Sequence, residues 1–224
     1  MPRFATHLLA GPETSTWIRL RTLILLRWIA VAGQVAAILT ASAWFDLALP
    51  LGACALVVGL SVIANLVSMT VLPASYRLGG RGALLMLLFD LGQISLLLAL
   101  TGGLHNPFAL LIVVPVTIAA TGLTDRSTAI VGAATLACAG LFSIFRMPLR
   151  LTSGAELQMP PLLEFGHAIA IVIGVGFLAL YARRVLGEIR NMSEALMATQ
   201  MALAREQKLT DLGGVVAAAA HEMG

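Results

Sequence analysis

Residues 83–100 read Ala83-Leu84-Leu85-Met86-Leu87-Leu88-Phe89-Asp90-Leu91-Gly92-Gln93-Ile94-Ser95-Leu96-Leu97-Leu98-Ala99-Leu100, with Asp90 as the one charge among them. A helix needs roughly 20 such residues to cross the hydrocarbon core of a bilayer. Comparable runs stand on both sides, at Thr22 to Trp44, Leu47 to Leu72, Phe108 to Leu123, Thr128 to Phe145 and Phe165 to Tyr181, so six spans are expected. Pro115 sits in the middle of the fourth, where a missing backbone donor predicts a kink or tilt. Composition agrees. The 224 residues are 59% apolar and 11% charged, against roughly 45–50% and ~25% in a soluble domain. Too few polar residues remain to coat a soluble globule, so the solvent for most of the surface is lipid. The expected fold class is an all-α membrane protein.

Lys and Arg set the orientation, because positive residues are retained on the cytoplasmic side. Arg3, Arg19 and Arg21 precede the first run, Arg77 and Arg81 join the second to the third, Arg126 joins the fourth to the fifth, and Arg183, Arg184 and Arg190 follow the sixth. The opposite side carries Arg146 and Arg150, balanced by Asp46, Glu156 and Glu164. Both termini are therefore expected in the cytoplasm, with the turn Gly102 to Pro107 on the far face. Met1 to Leu20 holds Arg3, Glu13 and Arg19 without a compact apolar stretch, so no cleavable signal peptide is expected. The net charge of +3 is dispersed beside the apolar runs and follows topology, not a nucleic-acid surface. Cys54 and Cys138 lie inside apolar runs, where a thiol acts as a small hydrophobe. No metal site is expected.

Charged groups inside the hydrocarbon are costly and face a protein partner or water. Arg27 lies six residues beyond Arg21, Asp90 seven beyond Ala83, and Asn65 seven before Leu72 on a run of opposite direction. At ~1.5 Å per residue all three reach one layer, roughly 9–11 Å below the cytoplasmic boundary. An Arg27–Asp90 ion pair, joined by Asn65, is expected there. The alternative is an Arg27 that snorkels to the cytoplasmic headgroups, with Asp90 protonated or solvated in a crevice.

Past Tyr181 the sequence turns polar and helix-favouring. Val185, Ile189, Met192, Leu196, Thr199 and Leu203 recur at alternating steps of four and three, the seam spacing of a two-stranded coiled coil. The step to Leu209 breaks that rhythm, and Leu209, Leu212, Val216, Ala219 and Met223 restart it in a new register. A parallel homodimer follows, or else an amphipathic helix lying on the membrane. In the restarted register His221 points away from the seam. The segment Leu212-Gly213-Gly214-Val215-Val216-Ala217-Ala218-Ala219-Ala220-His221-Glu222-Met223-Gly224 resembles the phosphoacceptor box of sensor histidine kinases. By that resemblance His221 is the nucleophile toward the ATP γ-phosphate and Glu222 its acid/base partner.

Between the third and fourth runs stands Gly102-Gly103-Leu104-His105-Asn106-Pro107-Phe108. As residues alone these make a tight turn, with flexible glycines, a turn-starting Asn-Pro and an interfacial Phe. The heptad also resembles the GGxxNPF pattern of the RegB/PrrB family of redox-responsive histidine kinases at every specified position. That resemblance implies a ubiquinone or ubiquinol site at Gly102, Gly103, His105, Asn106, Pro107 and Phe108, with His105 at a variable position. The chemistry is suitable: Phe108 for stacking, and His105, the Asn106 amide and glycine N–H groups as donors to quinone oxygens.

The resemblance gives residues 1–21 as a cytoplasmic segment, 22–181 as a six-helix quinone-sensing membrane domain, 182–208 as a coiled-coil linker and 209–224 as the start of the dimerisation and phosphotransfer helix. It further implies a multi-pass protein of the bacterial inner membrane, a homodimer, a cognate response regulator, a respiratory oxidase as a signal source, and ATP with magnesium in a kinase core. Because the sequence stops inside the box at Gly224, it is expected to be a fragment unable to phosphorylate itself. Two other classes fit six spans with polar residues in them: a small transporter or channel, and a quinone-binding structural subunit without kinase activity.

Overall fold

In lipid every backbone N–H and C=O needs a partner within the chain, and helices provide one for each. The apolar runs accordingly wind into helices. The computed structural model describes residues 18–71 and 77–223, and of residues 18, 19, 77, 142, 143, 211–220, 222 and 223 the backbone only. Most of the expected segment 1–21, the residue Leu72 that closes the second run, and Gly224 lie outside the described residues, as does the Glu222 side chain.

The order is β1 (Ile18–Arg19), α1 (Leu20–Ala43), α2 (Leu51–Val71), β2 (Arg77–Leu78), α3 (Gly80–Leu100), α4 (Val114–Gly122), α5 (Asp125–Ile144) and α6 (Pro161–Met223). Two 3-10 segments, Gly103–His105 and Ala109–Val113, lie between α3 and α4. Strands β1 and β2 pair antiparallel, Ile18 against Leu78 and Arg19 against Arg77. The chain divides into two compact units, Met1–Leu180 and Tyr181–Gly224.

Among the described residues each expected span is built largely of helix, but the count of six is not confirmed. Four helices among the described residues are long and apolar enough to cross a membrane: Leu20–Ala43, Leu51–Val71, Gly80–Leu100 and Pro161–Thr210. The fourth run is shorter, Ala109–Gly122. Pro115 does not kink a continuous α-helix there. It stands in the first turn of α4, directly after the 3-10 segment, where its missing N–H would have no helical acceptor anyway. Helix α5 opens on a cap, with the Thr124 hydroxyl accepting the Ser127 N–H at 3.3 Å.

In the first unit, α2 packs on α1 and α3, and α5 packs on α3 and α4. The main core joins Leu23, Leu87, Leu91, Ile112, Val116, Val131 and Ile171, while a smaller cluster gathers Val31, Cys54, Val57, Val58 and Leu97. Cys54 is thus a buried hydrophobe. The segment after α5 is held by backbone bonds: Met147 N–H to Ala99 O at 2.9 Å, Ala48 N–H to Arg150 O at 2.8 Å, and Thr152 N–H to Asp46 O at 2.8 Å. These draw three connections, around residues 46–48, 99–108 and 147–152, to one end of the bundle.

Candidate functional site

The heptad turns in a conformation that needs its glycines. Gly102 has φ +108° and Gly103 φ +59°, both in the left-handed region that side chains resist. Gly103–His105 then forms a 3-10 turn, closed by the His105 N–H to Gly102 O bond at 3.0 Å and the Asn106 N–H to Gly103 O bond at 3.2 Å.

Asn106 is committed within the loop. Its Nδ2 donates to Thr101 O at 3.1 Å and to Thr101 Oγ1 at 2.7 Å, and its Oδ1 accepts the Phe108 N–H at 2.8 Å. Thr101 is itself tied to α3 through its hydroxyl and Leu97 O at 2.8 Å. Both ends of the amide are thus engaged within the turn, as in an Asx-type turn. Phe108 ends up 46% exposed, with Pro107 exposed beside it, while Leu104 is buried.

His105 belongs to a second network. Its Nε2 lies 3.2 Å from Glu164 Oε2, and Arg146 Nη1 lies 2.5 Å from Glu164 Oε1. Glu164 precedes the apolar run that starts at Phe165; the Arg146 hydrogen bond first, then that of His105, hold its carboxyl below the ordinary glutamate range. An ionised carboxylate only accepts, so His105 Nε2 carries the proton of that bond. Neither Arg146 nor Glu164 was marked by sequence. The signal lay in the pair of opposite charges flanking the fifth and sixth runs, but the loop that brings them together has no period to read.

Deeper in the bundle Arg27 Nε donates to Asp90 Oδ1 at 2.7 Å, and its guanidinium lies 5.5 Å from the centre of the Phe89 ring. Arg27 is only 6% exposed. The structure brings these two together and leaves Asn65 out of the pair. Asn65 Nδ2 instead donates to Ile24 O at 3.2 Å, joining α2 to α1, and its Oδ1 has no partner among the described residues. Sequence reading also missed a reciprocal amide pair, Gln34 with Gln93 at 3.1 and 2.9 Å. Two glutamines inside neighbouring apolar runs were the available signal. In the second unit His221 is exposed, as are Ile189, Met192, Leu196 and Leu203 of the expected seam.

No family model and no solved structure matches the chain. Curated relatives do. It is 58% identical over 208 residues to a "Sensor histidine kinase RegB" of Cereibacter sphaeroides, and 59% identical over 208 residues to the protein of that name from a second source in the same species. Each match covers 93% of this chain and 45% of the relative, so the chain spans about half the length of the curated relatives it matches. The resemblance to the RegB/PrrB family is thereby borne out.

Proposed function

We propose that this chain, related to the RegB/PrrB family over nearly all its length, forms the membrane-sensing part of a two-component histidine kinase that reads the ubiquinone pool. The observation that carries this reading is the 58% identity over 208 residues to a named RegB sensor kinase. In the proposal Phe108 presents a ring face to quinone at the bundle end and His105 lies beside it. Gly102, Gly103, Asn106 and Pro107 hold the turn that positions both. Arg27, Asp90 and Asn65 fasten α1, α2 and α3 beneath it.

Signalling ends at His221. An imidazole nitrogen attacks the γ-phosphorus of ATP, a P–N bond forms as the bond to ADP breaks, and Glu222 takes up or holds the ring proton. Exposure of His221 suits a group that must meet a nucleotide and then the aspartate of a response regulator. The apolar positions Ile189, Met192, Leu196 and Leu203, uncovered in a single chain, suit a homodimeric coiled coil. A bacterial inner membrane, both termini in the cytoplasm, ATP with magnesium in a kinase core, and a respiratory oxidase as signal source complete the proposal.

The test uses the full-length kinase in liposomes containing ubiquinone or ubiquinol, with transfer of labelled γ-phosphate as the readout. His221→Gln abolishes labelling, and Phe108→Ala removes the response to quinone redox state while labelling persists. Labelling retained in His221→Gln, or equal redox response in Phe108→Ala, overturns the corresponding half of the reading.

A further inference from the structure

At the start of α3, the end of that helix away from the heptad, strands β1 and β2 set Arg19 directly opposite Arg77. Directly opposed residues of an antiparallel ladder have Cβ atoms roughly 4.5–5.5 Å apart, and like charges so placed repel. Neighbours compound the repulsion. Arg21 and Arg81 follow on the same two segments, and both are exposed. Four positive charges therefore gather where α1 and α3 begin. Residues 14–45 and 47–89 contain no Asp or Glu, and the first turns of α1 and α3 carry no acid. Other arginines near helix termini have a carboxylate at hand: Asp125 precedes Arg126, and Arg184 lies 3.3 Å from Glu188. A two-stranded ribbon is marginal by itself. One that pairs only Ile18 with Leu78 and Arg19 with Arg77 has the most to gain from an anion between its strands.

We propose that Arg19, Arg21, Arg77 and Arg81 form a binding site for the phosphate of an anionic phospholipid headgroup. The planar fork of a guanidinium matches two phosphate oxygens at once, so arginine is the residue suited to this group. A phosphate shared by Arg19 and Arg77 converts their mutual repulsion into attraction to one anion. Free phosphate has the same chemistry, but position favours lipid. Arg19 immediately precedes Leu20–Ala43 and Arg81 lies in the first turn of Gly80–Leu100, both long and apolar enough to cross a membrane. Basic clusters flanking such helices attract anionic headgroups, and acyl chains can then lie along the exposed apolar side chains of α1, such as Leu25 and Leu26. Bound there, one headgroup ties the start of α1 to the connection between α2 and α3.

The test takes the full-length protein, stripped of lipid in neutral detergent, and counts bound lipid by native mass spectrometry. Dioctanoyl phosphatidylglycerol binds saturably, at least fivefold tighter than the zwitterionic dioctanoyl phosphatidylcholine, and millimolar inorganic phosphate does not displace it. Arg19→Glu replaces the like-charged pair with an opposite one, so the protein stays folded without lipid while the preference for phosphatidylglycerol is lost. Arg81→Gln, at an exposed position, weakens phosphatidylglycerol binding by several-fold. Arg126→Gln removes a charge from a different connection and leaves that binding unchanged. Equal binding of the two lipids to the unmodified protein overturns the proposal, as does a preference that persists in both Arg19→Glu and Arg81→Gln. Loss of the preference in Arg126→Gln to the same degree replaces the site with a diffuse positive field. Displacement of the lipid by inorganic phosphate overturns lipid as the source of the anion.

Discussion

Among the described residues, two arginine–carboxylate pairs, Arg27–Asp90 and Arg146–Glu164, join separate elements of this bundle, and they differ in everything but chemistry. Arg27–Asp90 joins two regular helices within the apolar runs, with its arginine side chain 5% exposed and its aspartate side chain 25% exposed. Arg146–Glu164 joins two connections at the bundle end, with side chains 23% and 26% exposed, and shares its carboxylate with His105. Burial decides what each pair does. An ion taken out of water and then deprived of its partner is left uncompensated, which costs about 3–5 kcal/mol, although an intact pair adds little beyond an apolar substitute. A partly hydrated pair is worth roughly 0–1 kcal/mol. The inner pair is thus a condition of assembly, and the outer one contributes little to it.

The largest effect expected is on the inner pair. Asp90→Leu alone destabilises the purified membrane domain by about 3–5 kcal/mol, read as a shift in its detergent unfolding curve, while Arg27→Leu with Asp90→Leu regains part of that loss. Strictly additive losses would erase the distinction drawn between the pairs. Next comes the turn: Gly102→Ala places a side chain at φ +108° and costs about 1–2 kcal/mol. Its measured effect falls between the two pairs. If it matches Asp90→Leu, the loop end is as tightly built as the interior. The smallest effect is at Glu164→Gln, which shifts stability by less than about 1 kcal/mol.

Acid sharpens the contrast further. A carboxyl held below its ordinary range contributes stability that is full above the unfolded pKa and lost as pH falls through the folded one. Glu164 is such a group. Stability of the unmodified protein therefore declines on acidification below the ordinary glutamate range, and Glu164→Gln removes that part of the slope. An unchanged slope in the variant would assign the acid sensitivity to other carboxylates.

The inner pair was legible because helices keep count. A fixed rise per residue converts sequence position into depth, and that arithmetic alone put Arg27 and Asp90 in one layer. It gave Asn65 the right depth but not its partner, since depth says nothing of which way around the helix an amide turns; Asn65 reaches the Ile24 carbonyl. The outer network defeats such counting. His105, Arg146 and Glu164 sit in a 3-10 turn, an extended connection and a first helical turn, and no period links them. The heptad was readable as a turn and as a motif, yet the inward commitment of Asn106 to Thr101 appears only once the backbone is placed. The division of the fourth run at Pro115 and the two-residue β1–β2 pairing escaped for the same reason, both being decided by local geometry shorter than any hydrophobic period.

The connection from α5 to α6 is stapled to its neighbours by main-chain groups, Met147 to Ala99, Ala48 to Arg150 and Thr152 to Asp46, and to itself by Leu157 to Leu149. Main-chain bonds are indifferent to side-chain identity, so these staples stay in place under any replacement that keeps the backbone N–H. Proline at Met147, Ala48, Thr152 or Leu157 deletes a donor outright.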